Sequence, residues 1–386
     1  MKVKIYILCF LLSIAVNAQT ALYNNGSIRI HEEGTIGFHT NFINDAPFDT
    51  NLGLAGFYSL DDQTVSGTLV PEFYDMELLT DVALNLEVGM ANTNNTNLIF
   101  GNIFTPRNRP EVYYNFVSNA FYSGTDNFNK IDGYAAITNQ QNFIFPVGDV
   151  SQLRPLVLNS ESVNLFAKCA YFFENPNAPQ SFSERFNTLD VDRDIGFVSE
   201  VEFWFLEGNV PSTISLNWNQ RSDMAALTDD ATAIVPVGWS KTAQRWVNLG
   251  VTANAGTIEE GFVTSETIVP DDYAIITLGT FETPLGTLSA QSLDNYFVSV
   301  NGDGINDNFF IPELAESSPN NLVRIYDRYG LKVFEKENYT NEFTGTSNVN
   351  NFVIGREDGL PTGVYFYTVN ALDLGLNYQG FLYLTR

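Results

Sequence analysis

The run Val-Ala-Leu-Asn-Leu-Glu-Val at residues 82–88 places an apolar side chain at every second position. Its apolar positions are Val82, Leu84, Leu86 and Val88. Because successive side chains of a β-strand point to opposite faces, this alternation predicts a strand that is buried on one face.

The same two-residue period recurs along the chain, whereas the period of an amphipathic helix is nearly absent. Further alternating runs lie at residues 201–205, 214–218, 323–325 and 365–369. Asn, Gly and Pro separate these runs at short intervals, as expected for strands joined by turns. The sequence therefore predicts an all-β protein.

The chain divides by composition into an N-terminal and a central region, followed by a linker. Residues 19–158 carry short strands with many Asn and Gly turns, such as those at 24–26 and 33–38. This spacing predicts a β-solenoid-like or irregular β region, although no constant repeat is visible. Residues 159–280 predict a β-sandwich, and the small polar residues of 281–291 indicate a linker.

All four tryptophans fall in the predicted sandwich. They are Trp204, Trp218, Trp239 and Trp246. On short strands these side chains are expected to be part of the core. The alternative is an exposed aromatic row, which would bind surface glycans.

The N-terminal 18 residues have the features of a secretory signal peptide. Lys2 and Lys4 precede an apolar stretch at 5–14, and Val-Asn-Ala at 16–18 offers the small residues of a cleavage site. We expect cleavage between Ala18 and Gln19. The apolar stretch is too short for a membrane anchor, and we expect no membrane-spanning segment in the mature chain.

Charge and cysteine content narrow the partners and the chemistry. The formal net charge of −26 argues against nucleic acid as a partner. Cys9 lies in the predicted signal peptide, which leaves Cys169 alone. Because Cys169 lies in an alternating run, we expect a buried, inert thiol.

Five segments near the C-terminus form an ordered series of motifs. They read Tyr-Phe-Val-Ser-Val-Asn-Gly-Asp-Gly-Ile-Asn-Asp-Asn-Phe at 296–309, Leu-Val-Arg-Ile-Tyr-Asp-Arg-Tyr-Gly-Leu-Lys-Val-Phe at 322–334, Tyr-Thr-Asn-Glu-Phe-Thr-Gly at 339–345, Leu-Pro-Thr-Gly-Val-Tyr-Phe-Tyr at 360–367 and Gly-Phe-Leu-Tyr-Leu-Thr-Arg at 380–386. In this order, residues 292–386 resemble the gliding-motility-associated C-terminal domain, the type B sorting domain of the Bacteroidetes type IX secretion system.

The resemblance implies a fold, a route and a set of partners. The fold would be an Ig-like β-sandwich, and the protein would reach the cell surface, on the outer face of the outer membrane. Its partners would be the type IX translocon and an outer-membrane β-barrel of the PorP/SprF type. The positions that match the family pattern are Asn301, Gly302, Asp303, Gly304, Asn306, Asp307, Arg328, Gly330, Pro361, Gly363, Tyr365, Gly380 and Arg386. The chain departs from the pattern at Val300, Asp327, Tyr329 and Phe343.

The same residues also predict local structure. The alternation on both sides of residues 327–330 indicates a hairpin, with Gly330 supplying the positive φ of its turn. The last strand is expected to lie at a sheet edge, where its backbone groups and terminal carboxylate would be offered to a receptor.

One loop resembles the start of a calcium site. Asn301, Asp303 and Asp307 place oxygen side chains at the first, third and seventh positions of residues 301–307. Ile305 and Pro312 break the full calcium-loop pattern. We therefore expect a turn closed by side-chain to backbone hydrogen bonds, with a calcium site as the alternative. We expect no other cofactor.

No catalytic residues can be assigned from the sequence. His31 and His39 lack the spacing of metal ligands, and the acidic run at 189–194 fits a solvated loop. We therefore expect a non-enzymatic structural or interaction protein, exported to the surface, with a role as an accessory of the gliding or secretion machinery. A carbohydrate-binding or adhesion protein is the alternative. A β-fold glycoside hydrolase, supported only by the many acidic residues, is a third.

Overall fold

The computed structural model describes residues 21–281, 291–292, 296–312, 314–349, 359–374 and 376–386. Its regular structure is almost entirely strand, so the predicted all-β class is confirmed. The predicted signal peptide, its cleavage site and most of the predicted linker lie outside the described residues. Among the described residues, no helix combines the length and apolar character that crossing a membrane requires.

The N-terminal region is a stack of short strands. They are β1 (Ala21–Asn24), β2 (Thr35–Phe38), β3 (Asn41–Asn44), β4 (Leu54–Ser59), β5 (Gln63–Gly67), β6 (Glu72–Phe73), β7 (Asp75–Leu86), β8 (Met90–Asn92), β9 (Asn95–Phe104), β10 (Tyr114–Val117), β11 (Phe121–Ser123), β12 (Ile131–Asp132), β13 (Tyr134–Thr138), β14 (Gln140–Phe145) and β15 (Val147–Gly148).

These strands pair in parallel from one coil to the next, which makes the region a β-solenoid, as predicted. One sheet runs β1-β3-β5-β7-β9-β12-β15 and a second begins β6-β8-β10-β13. The length of a coil is uneven. Thr35 aligns with Leu54, 19 positions later, whereas Ile103 aligns with Ile131, 28 positions later. This variation explains why the sequence shows no constant repeat.

Stacked aromatic rings and buried amides fill the solenoid. The rings of Phe38 and Phe57 lie on successive coils, stacked at 4.7 Å and 11°. At one corner the Asn24 side chain donates to that of Asn44 at 2.7 Å, and Asn44 donates to the carbonyl of Leu69 at 2.9 Å. The second of these bonds satisfies a backbone carbonyl, and the first satisfies the amide oxygen of Asn44.

The alternating run at 82–88 is only partly the strand that was predicted. Leu84 and Leu86 are buried in β7, but Val82 is 50% exposed and Val88 lies beyond the end of the strand. The pairing of β7 with β9 shifts register between Leu79 and Ala83. An irregularity of this kind redirects the side chains of a strand, so the prediction was wrong for Val82.

Antiparallel strands follow the solenoid. They are β16 (Leu156–Asn164), β17 (Ala167–Phe172), β18 (Ile195–Val198), β19 (Phe203–Gly208), β20 (Ser212–Trp218), β21 (Ile234–Ser240), β22 (Arg245–Asn248), β23 (Ala253–Gly256), β24 (Gly261–Thr264) and β25 (Tyr273–Phe281). Single 3-10 turns lie at Gln220–Ser222, Met224–Ala226, Ala231–Ala233 and Pro270–Asp272.

Two sheets face each other in this central region. One continues the second solenoid sheet as β13-β17-β19-β25-β21-β22, and the other runs β14-β16-β20-β24-β23. Strand β13 pairs in parallel with β10 and antiparallel with β17, so solenoid and sandwich share a sheet. The predicted boundary after residue 158 falls within strand β16. The division of the chain into domains at that position stays a prediction.

A buried ion pair fastens the end of the solenoid to the sandwich. Arg154 follows β15, and its Nη2 lies 2.6 Å from Oε1 of Glu202, with both side chains almost fully buried. The hydroxyl of Tyr171 donates to the other carboxylate oxygen at 2.6 Å. Trp204 donates its indole N–H to the Arg154 carbonyl at 2.9 Å. The network therefore joins the last coil to β17 and β19.

The four tryptophans are buried, as predicted for core residues. Trp204, Trp218 and Trp246 are at most 1% exposed, and Trp239 is 4% exposed. Their rings therefore form no surface platform. The burial removes the observation that supported the carbohydrate-binding alternative.

A third group of strands forms the C-terminal sheet. These elements are β26 (Gln291–Ser292), β27 (Tyr296–Ser299), the short helix α1 (Leu314–Ser317), β28 (Asn321–Tyr326), β29 (Lys332–Glu337), β30 (Gly363–Ala371) and β31 (Leu376–Thr385). The strand order is β26-β31-β30-β28-β29, with β27 also on β31. One face of the sheet packs on Phe309, Tyr339 and Phe343, from segments outside the strands.

The Arg154–Glu202 pair allows a stability prediction. We expect Glu202→Ala to lower the free energy of unfolding by about 3–5 kcal/mol, because it leaves the buried Arg154 charge uncompensated. Asp192→Ala is the matched control, since Asp192 pairs with Arg245 at 3.3 Å on the surface. Its cost should be at most about 1 kcal/mol. Chemical denaturation of residues 19–386 measures both costs. Equal losses would contradict the assignment of Arg154–Glu202 as a buried, stabilising pair.

Candidate functional site

The predicted hairpin in the C-terminal sheet is present. Strands β28 and β29 pair antiparallel and are joined by the turn at residues 327–330. The side chain of Asp327 accepts the backbone N–H groups of Tyr329 at 2.8 Å and Leu331 at 2.9 Å. Gly330 has φ of 85°, the left-handed conformation that the sequence predicted for it.

The last strand does not lie at a sheet edge, and that prediction was wrong. Strand β31 pairs antiparallel with β30 on one side and parallel with β27 on the other. In the parallel ladder Tyr296 aligns with Leu382 and Ser299 with Thr385. Strand β27 therefore covers the edge of β31 that was expected to be open to a receptor.

Motif positions around β30 and at the chain end are hydrogen-bonded within the fold. The hydroxyl of Tyr365 donates to the Pro361 carbonyl at 2.7 Å, and the Tyr365 side chain is buried. This bond fixes the segment that enters β30 at Gly363. At the chain end, Arg386 donates from Nη2 to the Gly345 carbonyl at 3.0 Å.

Gly380 makes room for a buried aromatic ring. A Cβ atom at this position would lie 2.6 Å from the hydroxyl oxygen of Tyr367, which is the residue opposite it on β30. The Tyr367 ring packs against Phe309 at 4.8 Å and against Tyr296 at 5.8 Å. Glycine at 380 is thus required by the packing of one face of the sheet.

The loop at 301–307 is closed by its own side chains. The carboxylate of Asp307 accepts the N–H groups of Gly302 at 2.8 Å and Gly304 at 2.7 Å, and these bonds lower its pKa. The Asp303 carboxylate accepts from the N–H of Ile305 at 2.8 Å. Gly302, Gly304 and Asn306 all have positive φ, between 56° and 84°. This is the geometry of a turn stabilised by side-chain to backbone bonds.

The three candidate calcium ligands are neighbours in this loop. Asn301 donates to Asp303 from Nδ2 at 2.9 Å, and the Asn301 N–H lies 3.2 Å from the Asp307 carboxylate. In the described part of the chain, no group of three or more His, Cys, Asp or Glu side chains is arranged to hold a metal ion. The calcium site stays a prediction.

The C-terminal segment matches a known family. Residues 292–384 match the CHU_C type IX secretion signal domain. The chain carries a type IX secretion sorting domain. Its match begins within β26 and ends within β31, so it covers the whole C-terminal sheet apart from the two ends of these strands. No curated protein and no solved structure matches the chain. The protein is therefore a secreted or cell-surface protein exported by the type IX system.

The sorting domain docks onto the rest of the chain, which we call the passenger (residues 21–281). The ring of Phe262 on β24 packs against Tyr326 at 4.9 Å and Phe366 at 5.4 Å. All three side chains are buried, and Ala253 and Ala255 complete the cluster. Part of the outer face of the central sandwich is thus covered by part of the outer face of the sorting sheet.

The hairpin turn is part of the same contact. The hydroxyl of Ser215 donates to the Gly330 carbonyl at 3.2 Å. A Cβ atom on Gly330 would lie 2.7 Å from the Phe262 ring and 2.9 Å from Cβ of Ser215. Glycine at position 330 therefore allows the positive φ of the turn and also leaves room for the passenger side chains.

A cavity of about 380 Å³ remains beside this contact. It lies between the turn and the last solenoid coils, and Tyr122, Ile144 and Asp327 are among its lining residues. Burial raises the pKa of the Asp327 carboxyl to about 6. Because this pKa is above the ordinary value of 3.8, the contribution of the group to stability is greatest in acid and is lost as pH rises through about 6.

The other residues considered for chemistry lie apart from the sorting domain. Cys169 is buried, as predicted, and this burial raises the pKa of its thiol well above the ordinary value. That the thiol is inert stays a prediction. His31 and His39 are exposed. In the acidic loop, Asp192 faces Arg245 and Asp194 accepts from Asn248 at 3.2 Å.

The docking contact was not predicted, although one signal for it was present. The run Gly-Phe-Val-Thr at 261–264 places two large apolar residues side by side, and both are buried. Adjacent apolar residues in a strand indicate that both of its faces are covered. Val263 faces the sandwich core and Phe262 faces the sorting domain.

The first prediction from this site concerns calcium. We expect EDTA to leave the melting temperature of the mature chain unchanged, because the loop at 301–307 is held by its own hydrogen bonds. Thermal unfolding with EDTA and with added CaCl₂ tests this. A rise with calcium that disappears in Asp303→Ala would instead establish the calcium site through mass action.

The second prediction concerns docking. Phe262→Ala and Phe366→Ala should each cost about 3–5 kcal/mol, as expected for a buried phenylalanine. Since the two rings touch across the contact, the double variant should cost less than the sum, by about 0.5–3 kcal/mol. Phe334→Ala combined with Phe262→Ala is the control. The costs of these two variants should add, because the Phe334 ring packs on Tyr339 and Phe343 within the sorting domain. If the costs of Phe262→Ala and Phe366→Ala add fully, the two domains do not dock in solution.

Proposed function

We propose that the mature chain is a non-enzymatic structural or interaction protein held on the outer face of the outer membrane. The observation that carries the proposal is the sorting domain at residues 292–384, which directs export by the type IX system. The rest of the chain is a solenoid that continues into a sandwich through one shared sheet. Such a continuous body is suited to presenting a long surface to partners outside the cell.

The non-enzymatic role is supported by how the chain uses its reactive groups. The Glu202 carboxylate is occupied by Arg154 and Tyr171, and Cys169 is buried. The Asp149 carboxylate accepts backbone N–H groups of Ser151 and Gln152 at 3.0 and 2.9 Å. Each of these reactive groups is therefore buried or already hydrogen-bonded within the fold.

The proposed partners follow from the export route. We place the type IX translocon first, because the sorting domain implies an interaction with that machinery. An outer-membrane β-barrel of the PorP/SprF type would then hold the exported chain at the surface. There the protein would act as an accessory of the gliding or secretion machinery.

Export provides the test of this proposal. We expect a chain lacking residues 292–386 to accumulate in the periplasm of a type IX-competent cell. A foreign folded protein with a signal peptide and residues 292–386 should reach the surface, because the motif residues act as one folded domain. Surface proteolysis and cell fractionation measure both. Export of the deleted chain at the level of the full chain would refute the proposal.

Retention at the surface is measured in the same cells. We expect the full chain to stay with the outer-membrane fraction after washing, and to be recovered in the medium when the barrel partner is absent. Recovery in the medium in both cases would leave export intact and contradict the proposed surface role.

A further inference from the structure

The outer face of the sorting sheet is divided into a covered part and an open part. Phe366 on β30 and Phe381 on β31 are opposite each other, and they pack against the passenger cluster around Phe262. Two positions along each strand, Val364 and Tyr383 are also opposite each other and lie on the same face. These two residues are 41% and 43% exposed.

A third exposed side chain extends this open part onto the next strand. Phe297 on β27 aligns with Tyr383 and is 52% exposed. The rings of Phe297 and Tyr383 are stacked, with centroids 6.0 Å apart and planes at 11°. Val364, Tyr383 and Phe297 therefore form a row across three neighbouring strands, which we call the open row.

The open row differs from scattered exposed apolar residues. Neighbouring strands are about 4.8 Å apart, so the row presents about 10 Å of continuous apolar surface on a rigid sheet. Its two rings are already ordered by their stacking, which lowers the entropy that a partner must remove on binding. Exposed aromatic groups on a rigid element are typical anchors of protein interfaces.

We propose that the open row is the surface through which the type IX translocon binds the sorting domain for export. The inference rests on the proposed function, because the sorting domain is the part of the chain that engages that machinery. The row also continues a face that is already an interface, since Phe366 and Phe381 beside it are docked on the passenger. In the docked chain these three side chains are 41–52% exposed, so the machinery can reach them without undocking the sorting domain.

The chemistry of the row defines the partner surface. Val364, Tyr383 and Phe297 offer two aromatic faces and one branched aliphatic group, with the Tyr383 hydroxyl as a polar group at the end of its ring. The matching surface on the machinery is an apolar cleft that accepts flat rings and excludes water from them.

The test uses the full chain in a type IX-competent cell. The variant Phe297→Ser with Tyr383→Ser removes both rings and should lower the surface-exposed fraction by about tenfold or more. Its melting temperature should stay close to that of the wild type, because both side chains are exposed. The matched control is Leu372→Ser with Leu374→Ser. These residues are 56% and 50% exposed, at the opposite end of β30 and β31.

A second variant keeps the test decisive if the double variant folds poorly. Val364→Lys places a charge in the row without removing either ring, and it should also reduce export. Export of Val364→Lys and of the double variant at the level of the control would overturn the inference. So would an equal loss of export in the control pair. If deletion of residues 292–386 blocks export while the row variants are exported, only this inference fails and the proposed function stands.

Discussion

A parallel solenoid ends in a row of unpaired backbone groups, and the architecture of this chain depends on how that end is closed. Strand β13 belongs to the last coils through its parallel pairing with β10, and its other edge is taken by the antiparallel strand β17. An open edge would template pairing with another chain. The buried Arg154–Glu202 pair lies at this junction and links the last coil to the sandwich.

Each further part of the chain covers a surface that the preceding part leaves exposed. The sandwich closes the solenoid but carries Phe262 on its outer face, and the sorting domain buries that ring with Tyr326 and Phe366. The sorting domain in turn closes the edge of its own last strand with β27. Burial of each apolar face is favourable, so docking stabilises passenger and sorting domain together.

Local structure could be predicted from the sequence, whereas long-range pairing could not. The hairpin with Gly330, the turn at 301–307 and the buried tryptophans follow from short patterns. The solenoid repeat was hidden because its coils differ in length. The parallel pairing of β27 with β31 joins residues 86 positions apart, such as Tyr296 and Leu382, and no local pattern marks it. The docking of Phe262 depends on a surface formed by another domain.

The family positions of the sorting domain are largely explained by its own fold. Gly330 lies in a turn that the passenger approaches closely, and Gly380 leaves room for the Tyr367 ring. The Tyr365 hydroxyl donates to the Pro361 carbonyl. Residues that serve the fold in this way are turned toward protein atoms, and a receptor outside the domain does not reach them. Recognition must then use other side chains on the folded surface, and the five motif segments include exposed ones such as Phe297, Val364 and Tyr383. A sorting signal of this kind is a property of the folded domain, which explains why its motifs extend over the whole sheet.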